Sequence, residues 1–253
     1  MPPELFSATD PQGSDFEGSS ATLVFAGTHG SPRSTHQDIH LPGTAVPQVR
    51  VGDWRKRTLD VTMAALALAL LLPLMLMIGA LIKLFSPGPA LYGHERVGRN
   101  GRAFKCLKFR TMVVNGDDVL RDHLAGSEEA RREWETTRKL RKDPRITPLG
   151  HVLRKSSTDE LPQLINILRG EMSIVGPRPV VHDELRYYGD NASYYLASRP
   201  GLTGLWQVSG RNLTSYEARV AYDRAYCESW SLRMDLLLIA RTIPVVISRQ
   251  GTY

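Results

Sequence analysis

The chain holds only two cysteines, Cys106 and Cys227, far apart and in no metal-type spacing. That excludes a disulfide framework or a cysteine-built zinc site and reads as two free thiols in a reducing compartment. No HExxH, CxxC or Walker-type phosphate loop occurs, so the chemistries those motifs carry have no support. A cleavable signal is also missing. Residues 1–50 are rich in Pro, Ser, Gly and Thr, with one short apolar cluster at Leu23, Val24 and Phe25. A signal peptide needs a basic start and a longer apolar run. Segment 1–50 is expected to be a disordered tail.

Positive charge is in excess, with a formal net charge of +6 over 253 residues. Such a balance suits an anionic partner: nucleic acid, a membrane surface or a phosphorylated substrate. No recognised nucleic-acid motif is present, so no nucleic-acid partner is expected. A chain of this length can build one sizeable core.

Residues 61–82 are almost unbroken Leu, Ala, Met, Ile and Val. About 20 such residues suffice to span a bilayer. The alternative, a buried helix of a soluble protein, rarely lacks a polar face for this long. Pro73 lies near the middle, where it removes a backbone hydrogen bond and clashes with the preceding turn. Basic residues flank both ends, Arg55, Lys56 and Arg57 before and Lys83 after. Cytoplasmic flanks attract Lys and Arg. Charge on both sides fits a hairpin over residues 51–86 that dips into the membrane and returns, with a kink at Pro73, better than a simple span.

Residues 87–112 are basic and punctuated by glycine. Asn100-Gly101 is a two-residue hairpin signal between candidate strands Leu91–Val97 and Ala103–Phe109. Lys108 and Arg110 fall on or beside the second strand. This stretch is either a basic rim on anionic lipid or a phosphate site. Residues 117–142 predict one solvent-facing helix or a pair.

Ser156-Ser157-Thr158-Asp159-Glu160-Leu161-Pro162 then reads as a helix opening. Leu161, Leu164, Ile165 and Leu168 follow at helical spacing, and Gly170 ends the element. The adjacent carboxylates Asp159 and Glu160 would sit at the positive end of the helix dipole. Ordinary helix capping explains them. So does catalysis, with a carboxylate nucleophile and a metal-ligating or proton-handling partner. Paired carboxylates also favour a hard divalent cation such as Mg²⁺. Two further loops add weight to catalysis: residues 171–179, presenting Arg178, and residues 199–212, carrying Arg199, Gln207 and Arg211. Their glycines permit close backbone approach to a ligand, and arginines on rigid turns suit a diphosphate.

At these residues the sequence resembles the bacterial sugar transferases, the monotopic polyprenol-phosphate phosphoglycosyl transferases. The likeness runs from Lys56 to the C-terminus. It rests on Lys56-Arg57 with Asp60, on Lys108-Phe109-Arg110-Thr111-Met112, on Asp159-Glu160-Leu161-Pro162-Gln163-Leu164, and on residues 172–179 and 200–212. Asp223, Tyr226, Trp230-Ser231-Leu232, Asp235 and the Gly251-Thr252-Tyr253 end complete it.

The resemblance implies transfer of a hexose 1-phosphate from a UDP-sugar to undecaprenyl phosphate, with release of UMP, as the priming step of exopolysaccharide or related glycan assembly. Asp159 would be the nucleophile. Glu160 would act through Mg²⁺, which both carboxylates could ligate, or by handling the acceptor. Lys108, Arg110, Arg178 and Arg211 match basic positions, and Arg199 and Gln207 complete the phosphate- and nucleotide-binding candidates.

The implied fold is α+β and mostly helical. A re-entrant helix-break-helix in the bacterial inner membrane would carry a compact cytoplasmic catalytic domain over residues 87–253, with a small β-hairpin and interfacial amphipathic helices. Inner-membrane lipid is an implied partner, and further copies of the chain or downstream glycosyltransferases are others. A non-catalytic membrane subunit of a polysaccharide assembly complex is the alternative; it would need neither the carboxylate pair nor the arginine loops. Two positions depart from the family pattern: Thr158, where Leu commonly precedes the pair, and Leu72, where some members have Ser before the proline.

Overall fold

The computed structural model describes residues 51–137, 139–209 and 215–247. The segment 1–50, Arg211 and the C-terminal Gly251-Thr252-Tyr253 lie outside the described residues. The described chain is mostly helical, as expected, with two small sheets, of which one is the expected hairpin.

Helix α1 (Trp54–Phe85) opens on Asp53, whose carboxylate accepts the Lys56 N–H at 3.0 Å. It runs helical through Pro73 without interruption for 32 residues, or about 48 Å at 1.5 Å per residue. The expected division into two arms is therefore not an interruption of the helix. A proline removes one internal bond, and the packing on both sides of it holds the helix together. Lys56, Asp60, Ala64, Met75, Ile78 and Ile82 are buried, with Ala67, Leu68 and Leu71 partly buried between them. Steps of three and four residues make these one stripe along the whole helix. Leu66, Leu70, Leu72, Leu76, Met77, Leu84 and Phe85 remain exposed. A long apolar face without a protein cover fits membrane association.

Strands β1 (Leu91–Val97) and β2 (Ala103–Phe109) form the antiparallel hairpin, from Leu91 opposite Phe109 to Val97 opposite Ala103. Asn100 and Gly101 take left-handed φ values of 58° and 76°, as their sequence suggests. The connection nonetheless spans residues 98–102 and closes with Gly98 N–H on Arg102 O at 2.8 Å. The charged segment is a pair, α2 (Gly116–Gly126) and α3 (Glu128–Thr137). Helix α4 (Pro148–Lys155) is capped by Thr147, whose hydroxyl accepts from Gly150 N at 2.9 Å. Helix α5 (Gln163–Arg169) ends at left-handed Gly170.

Beyond it come β3 (Ser173–Val175), α6 (His182–Leu185), α7 (Ala192–Ala197), β4 (Gly201–Thr203) and α8 (Leu205–Ser209). Helices α9 (Tyr216–Glu228) and α10 (Leu232–Ile247) follow. β3 and β4 pair in parallel, Ser173 with Gly201 and Val175 with Thr203. Helix α10 continues through Pro244 and has both a buried side, at Asp235 and Leu238, and exposed Leu236, Leu237 and Ile243.

The glycines of the two late loops serve packing. A Cβ on Gly176 would strike Arg199 O, one on Gly201 the Gly176 N, and one on Gly204 the Gly176 O. These loops need glycine because they press on each other. Gly201→Ala is expected to cost upwards of about 2 kcal/mol, read as a lowered melting temperature in detergent or nanodiscs.

Buried polar groups tie α1 to this late half. Lys56 Nζ lies 2.8 Å from Asp235 Oδ2 and donates to Val175 O at 2.9 Å and Tyr226 Oη at 3.2 Å. Asp60 accepts from Ser173 Oγ and, at 2.9 Å, from Ile174 N. Tyr226 and Trp230 donate to Asp235 at 2.7 and 3.0 Å.

Candidate active site

Asp159 and Glu160 do not open α5. They form a separate 3-10 turn, Thr158–Glu160, between the end of α4 and Pro162. Ser157 caps nothing and takes a left-handed φ of 56°, a conformation that costs a residue with a Cβ about 1–2 kcal/mol. The Ser156 and Thr158 hydroxyls bond each other at 2.8 Å. The pair thus sits in the first turn of its own 3-10 helix and not in that of α5. The sequence signals were real N-cap types, but the chain spends them on a sharp reversal.

The turn faces β2. Lys108 Nζ lies 2.5 Å from Glu160 Oε1 and 3.8 Å from Asp159 Oδ2. Asp159 is buried, at 8 % relative exposure. Burial pushes its carboxyl above the ordinary carboxylate range; Lys108 opposes this, Glu160 adds to it and Arg154 opposes it. Arg154, on the last turn of α4, donates from Nε to Thr111 Oγ1 at 2.9 Å and is itself pushed down by burial. The arginine was not singled out in the sequence. Its charge acts on Asp159, five residues on, across the reversal at Ser157.

Asn166 was missed as well. Fully buried on α5, it donates to Lys105 O at 2.8 Å and accepts from Leu107 N at 2.9 Å. It also donates to Glu171 at 2.6 Å. The side chain thereby pins the free edge of β2, the strand that carries Lys108. A lone Asn on a helix gives no signal of such a role. Asn166→Leu is expected to cost about 1–3 kcal/mol for each backbone group left unsatisfied, and to lower turnover by loosening Lys108. Melting and rate assays on one preparation check both.

Arg178 joins this neighbourhood. Burial raises the Cys106 thiol on β2, and the charges acting on that thiol are Lys108, Glu160, Arg96 and Arg178. The Arg178 guanidinium also lies 5.9 Å from the Trp206 ring, which Arg219 approaches at 4.7 Å. Gln207, beside buried Trp206 on α8, packs against Gly204. Arg199 goes elsewhere. It donates from Nε to Gly170 O at 2.8 Å, while Arg57 donates to Ile167 O and Leu168 O. Both arginines bind the C-terminal carbonyls of α5, at the end opposite the carboxylate pair. Arg110 lies past the end of β2 and donates to Ser86 O at 2.9 Å.

Among the described residues no group of three or more metal-ligating side chains occurs. Two carboxylates still suit Mg²⁺, which is commonly held by one or two carboxylates together with substrate phosphates.

The family model of bacterial sugar transferases matches residues 51–249, and the chain belongs to that family, whose members are phosphoglycosyl transferases. An exopolysaccharide production protein ExoY of Sinorhizobium fredii is 57% identical over 203 residues, 80% of this chain and 90% of that protein. An undecaprenyl-phosphate galactose phosphotransferase of Salmonella typhimurium is 50% identical over 198 residues, 78% of this chain and 41% of that protein. A UDP-glucose:undecaprenyl-phosphate glucose-1-phosphate transferase of Caulobacter vibrioides is 43% identical over 222 residues, 84% of this chain and 76% of that protein.

Proposed function

We propose that the protein moves a hexose 1-phosphate from a UDP-sugar to undecaprenyl phosphate in two covalent steps, priming exopolysaccharide assembly. An Asp159 carboxylate oxygen attacks the β-phosphorus. The bond from that phosphorus to the bridging oxygen breaks, and UMP leaves with the oxygen and its electron pair. A phosphate oxygen of the acceptor then attacks the same phosphorus, and the Asp159 carboxylate departs. The product is the polyprenyl diphosphate sugar. Splitting one difficult exchange into two gives ping-pong kinetics.

The observation that carries this reading is Asp159 itself: a buried carboxylate that caps no helix and lies within reach of the Lys108 and Arg154 charges. Phosphoryl transfer is catalysed mainly by positioning and charge. Lys108 orients Asp159 and Glu160 and reduces their repulsion toward an incoming diphosphate. Arg178 reaches the same neighbourhood, where a guanidinium offers phosphate paired donors. Asp159 and Glu160 would hold Mg²⁺ with the diphosphate oxygens. The ion, when bound, supplies charge neutralisation at the transferring phosphate. A non-catalytic assembly subunit is not favoured, because it has no use for a buried, ion-paired carboxylate turn.

The membrane arrangement proposed is monotopic, with α1 embedded from the cytoplasmic face of the inner membrane. Its stripe packs on the rest of the protein from Lys56 to Ile82, so both ends belong to one side. Trp54 and Leu84 are 72% and 75% exposed. Cysteines placed there should react with an impermeant maleimide from the same side; labelling from opposite sides would sink the arrangement.

The chemistry is tested with a UDP-sugar labelled at the β-phosphorus. Label should appear on the protein with release of UMP before any acceptor is added, then move to lipid on addition of undecaprenyl phosphate. UMP release that strictly requires the acceptor would point to direct transfer and overturn the covalent step.

A further inference from the structure

A cavity of about 380 Å³ lies where the end of α1 meets the start of α4. It is lined by Ile82, Phe85, Arg110, Met112, Pro148 and Leu149, with Ser86 and Thr147 at its edge. Its walls are apolar apart from one charge. Arg110 donates from Nη2 to Ser86 O at 2.9 Å, but Nε and Nη1 are buried without a hydrogen-bond acceptor. Gly88, at a φ of +102°, lies beside Nη1, where any Cβ would strike the nitrogen. Leaving charged donors buried and unsatisfied is costly, and such a group calls for an acceptor that arrives from outside. The capped N-terminus of α4 adds the positive end of a helix dipole to the same wall.

A guanidinium in the lining of an otherwise apolar cavity matches one kind of molecule, an anionic head on a hydrocarbon chain. Free nucleotide has no chain to fill the apolar part. Two features choose among lipids. Phe85, one of the lining residues, is 73% exposed beside exposed Leu84 on the membrane helix, which gives a chain access from the bilayer. The lining is bonded, through Thr111, to a residue that acts on the carboxylate turn. Thr111, next to Arg110, takes the Thr147 N–H on its carbonyl at 3.0 Å and the Arg154 Nε–H on its hydroxyl at 2.9 Å, and Arg154 is one of the charges acting on Asp159.

We propose that this cavity is the entry site of the acceptor lipid: Arg110 holds the phosphate of a polyprenyl phosphate while Ile82, Phe85, Met112 and Leu149 hold its first isoprene units. The inference rests on the reaction proposed above. It assigns Arg110 to the second substrate and not to the nucleotide. The remainder of the chain stays in the bilayer beside α1. Arg110 and Arg154, joined through Thr111, then form a path along which the phosphate passes from cavity to carboxylate turn.

The test has two arms. In the first, Arg110→Gln and Met112→Trp are assayed in nanodiscs. Loss of a charged contact predicts a KM for polyprenyl phosphate raised about tenfold to a hundredfold, with KM for the UDP-sugar moving less than about twofold. Met112→Trp fills the cavity without touching the guanidinium, so it keeps the assay informative if Arg110→Gln folds poorly. An equal rise in KM for the UDP-sugar would hand Arg110 to the nucleotide and overturn the proposal.

In the second arm, a diazirine-bearing polyprenyl phosphate is photolysed with the wild-type protein and the cross-linked peptides are mapped. Label is expected on residues 82–86 and 147–149, displaced by undecaprenyl phosphate and not by equal phosphatidylglycerol or inorganic phosphate. Displacement by phosphatidylglycerol would make the cavity a general phospholipid site, and label confined to other segments would remove it from acceptor binding. Cross-linking is read whether or not turnover occurs, so failure of the covalent reaction leaves this arm intact.

Discussion

Asp159→Asn is expected to lower turnover by at least about a thousandfold, the scale seen when a covalent nucleophile is removed, and to abolish labelling of the protein. The same substitution is expected to stabilise the fold. Burial raises the Asp159 carboxyl above its ordinary value, against the pull of Lys108 and Arg154. Between the ordinary and the raised value the folded protein keeps a proton that the unfolded chain has lost. Stability contributed by this group therefore falls as pH rises through that window, and the ionised form costs stability above it. An amide of the same shape removes the cost. Melting of the wild type and Asp159→Asn, without divalent cation, should differ in favour of the variant at neutral pH, and the gap should close in acid. A variant that is inactive and less stable at neutral pH would indicate that Asp159 is a structural anchor, and labelling that persists in Asp159→Asn would move the nucleophile elsewhere.

Breaking the buried ion pair is expected to have the second-largest effect. Lys56→Met leaves Asp235, with 1% of its side chain exposed, charged among Tyr226 and Trp230 without its counter-ion. Removing one partner of such a pair costs about 3–5 kcal/mol, a large share of the roughly 5–15 kcal/mol that holds a domain folded. Combining Lys56→Met with Asp235→Leu should restore much of the loss, because a well-packed apolar pair replaces a buried ion pair at little cost. Denaturation of the four proteins in one detergent gives the coupling. A single-variant cost below about 1 kcal/mol, or strictly additive effects, would show that the bridge holds nothing.

How far the sequence reveals this protein depends on the range of the interaction concerned. The hairpin was legible because alternation and Asn100-Gly101 act within a few residues; its strand limits coincide with those expected. Asp159 and Glu160 were found, yet their local setting was misread. Ser157, Thr158 and Pro162 are good helix-opening residues, and nothing nearby signals that Ser157 turns left-handed and detaches the pair from α5. Arg154 and Asn166 were invisible because their partners, Thr111 and the edge of β2, are distant in sequence. Gly176, Gly201 and Gly204 were visible as glycines, but their mutual packing was not, because each presses on a distant part of the chain. Arg199 shows the same limit: a rigid turn beside glycine looks like a phosphate site until α5 presents its carbonyls to it.

The stripe on α1 has a consequence for how the protein is made. The long apolar helix also supplies Ala64, Met75, Ile78 and Ile82 to the protein interior, and Lys56 and Asp60 to its buried polar bonds. It leaves the ribosome before every strand and helix that packs on it. The helix thus comes first and gives the rest of the nascent chain a template to fold against. A version cut free of α1 would emerge with an open core and two stranded polar partners, Asp235 and Ser173, so the route to a water-soluble form lies in repainting the outward leucines rather than in removing the helix.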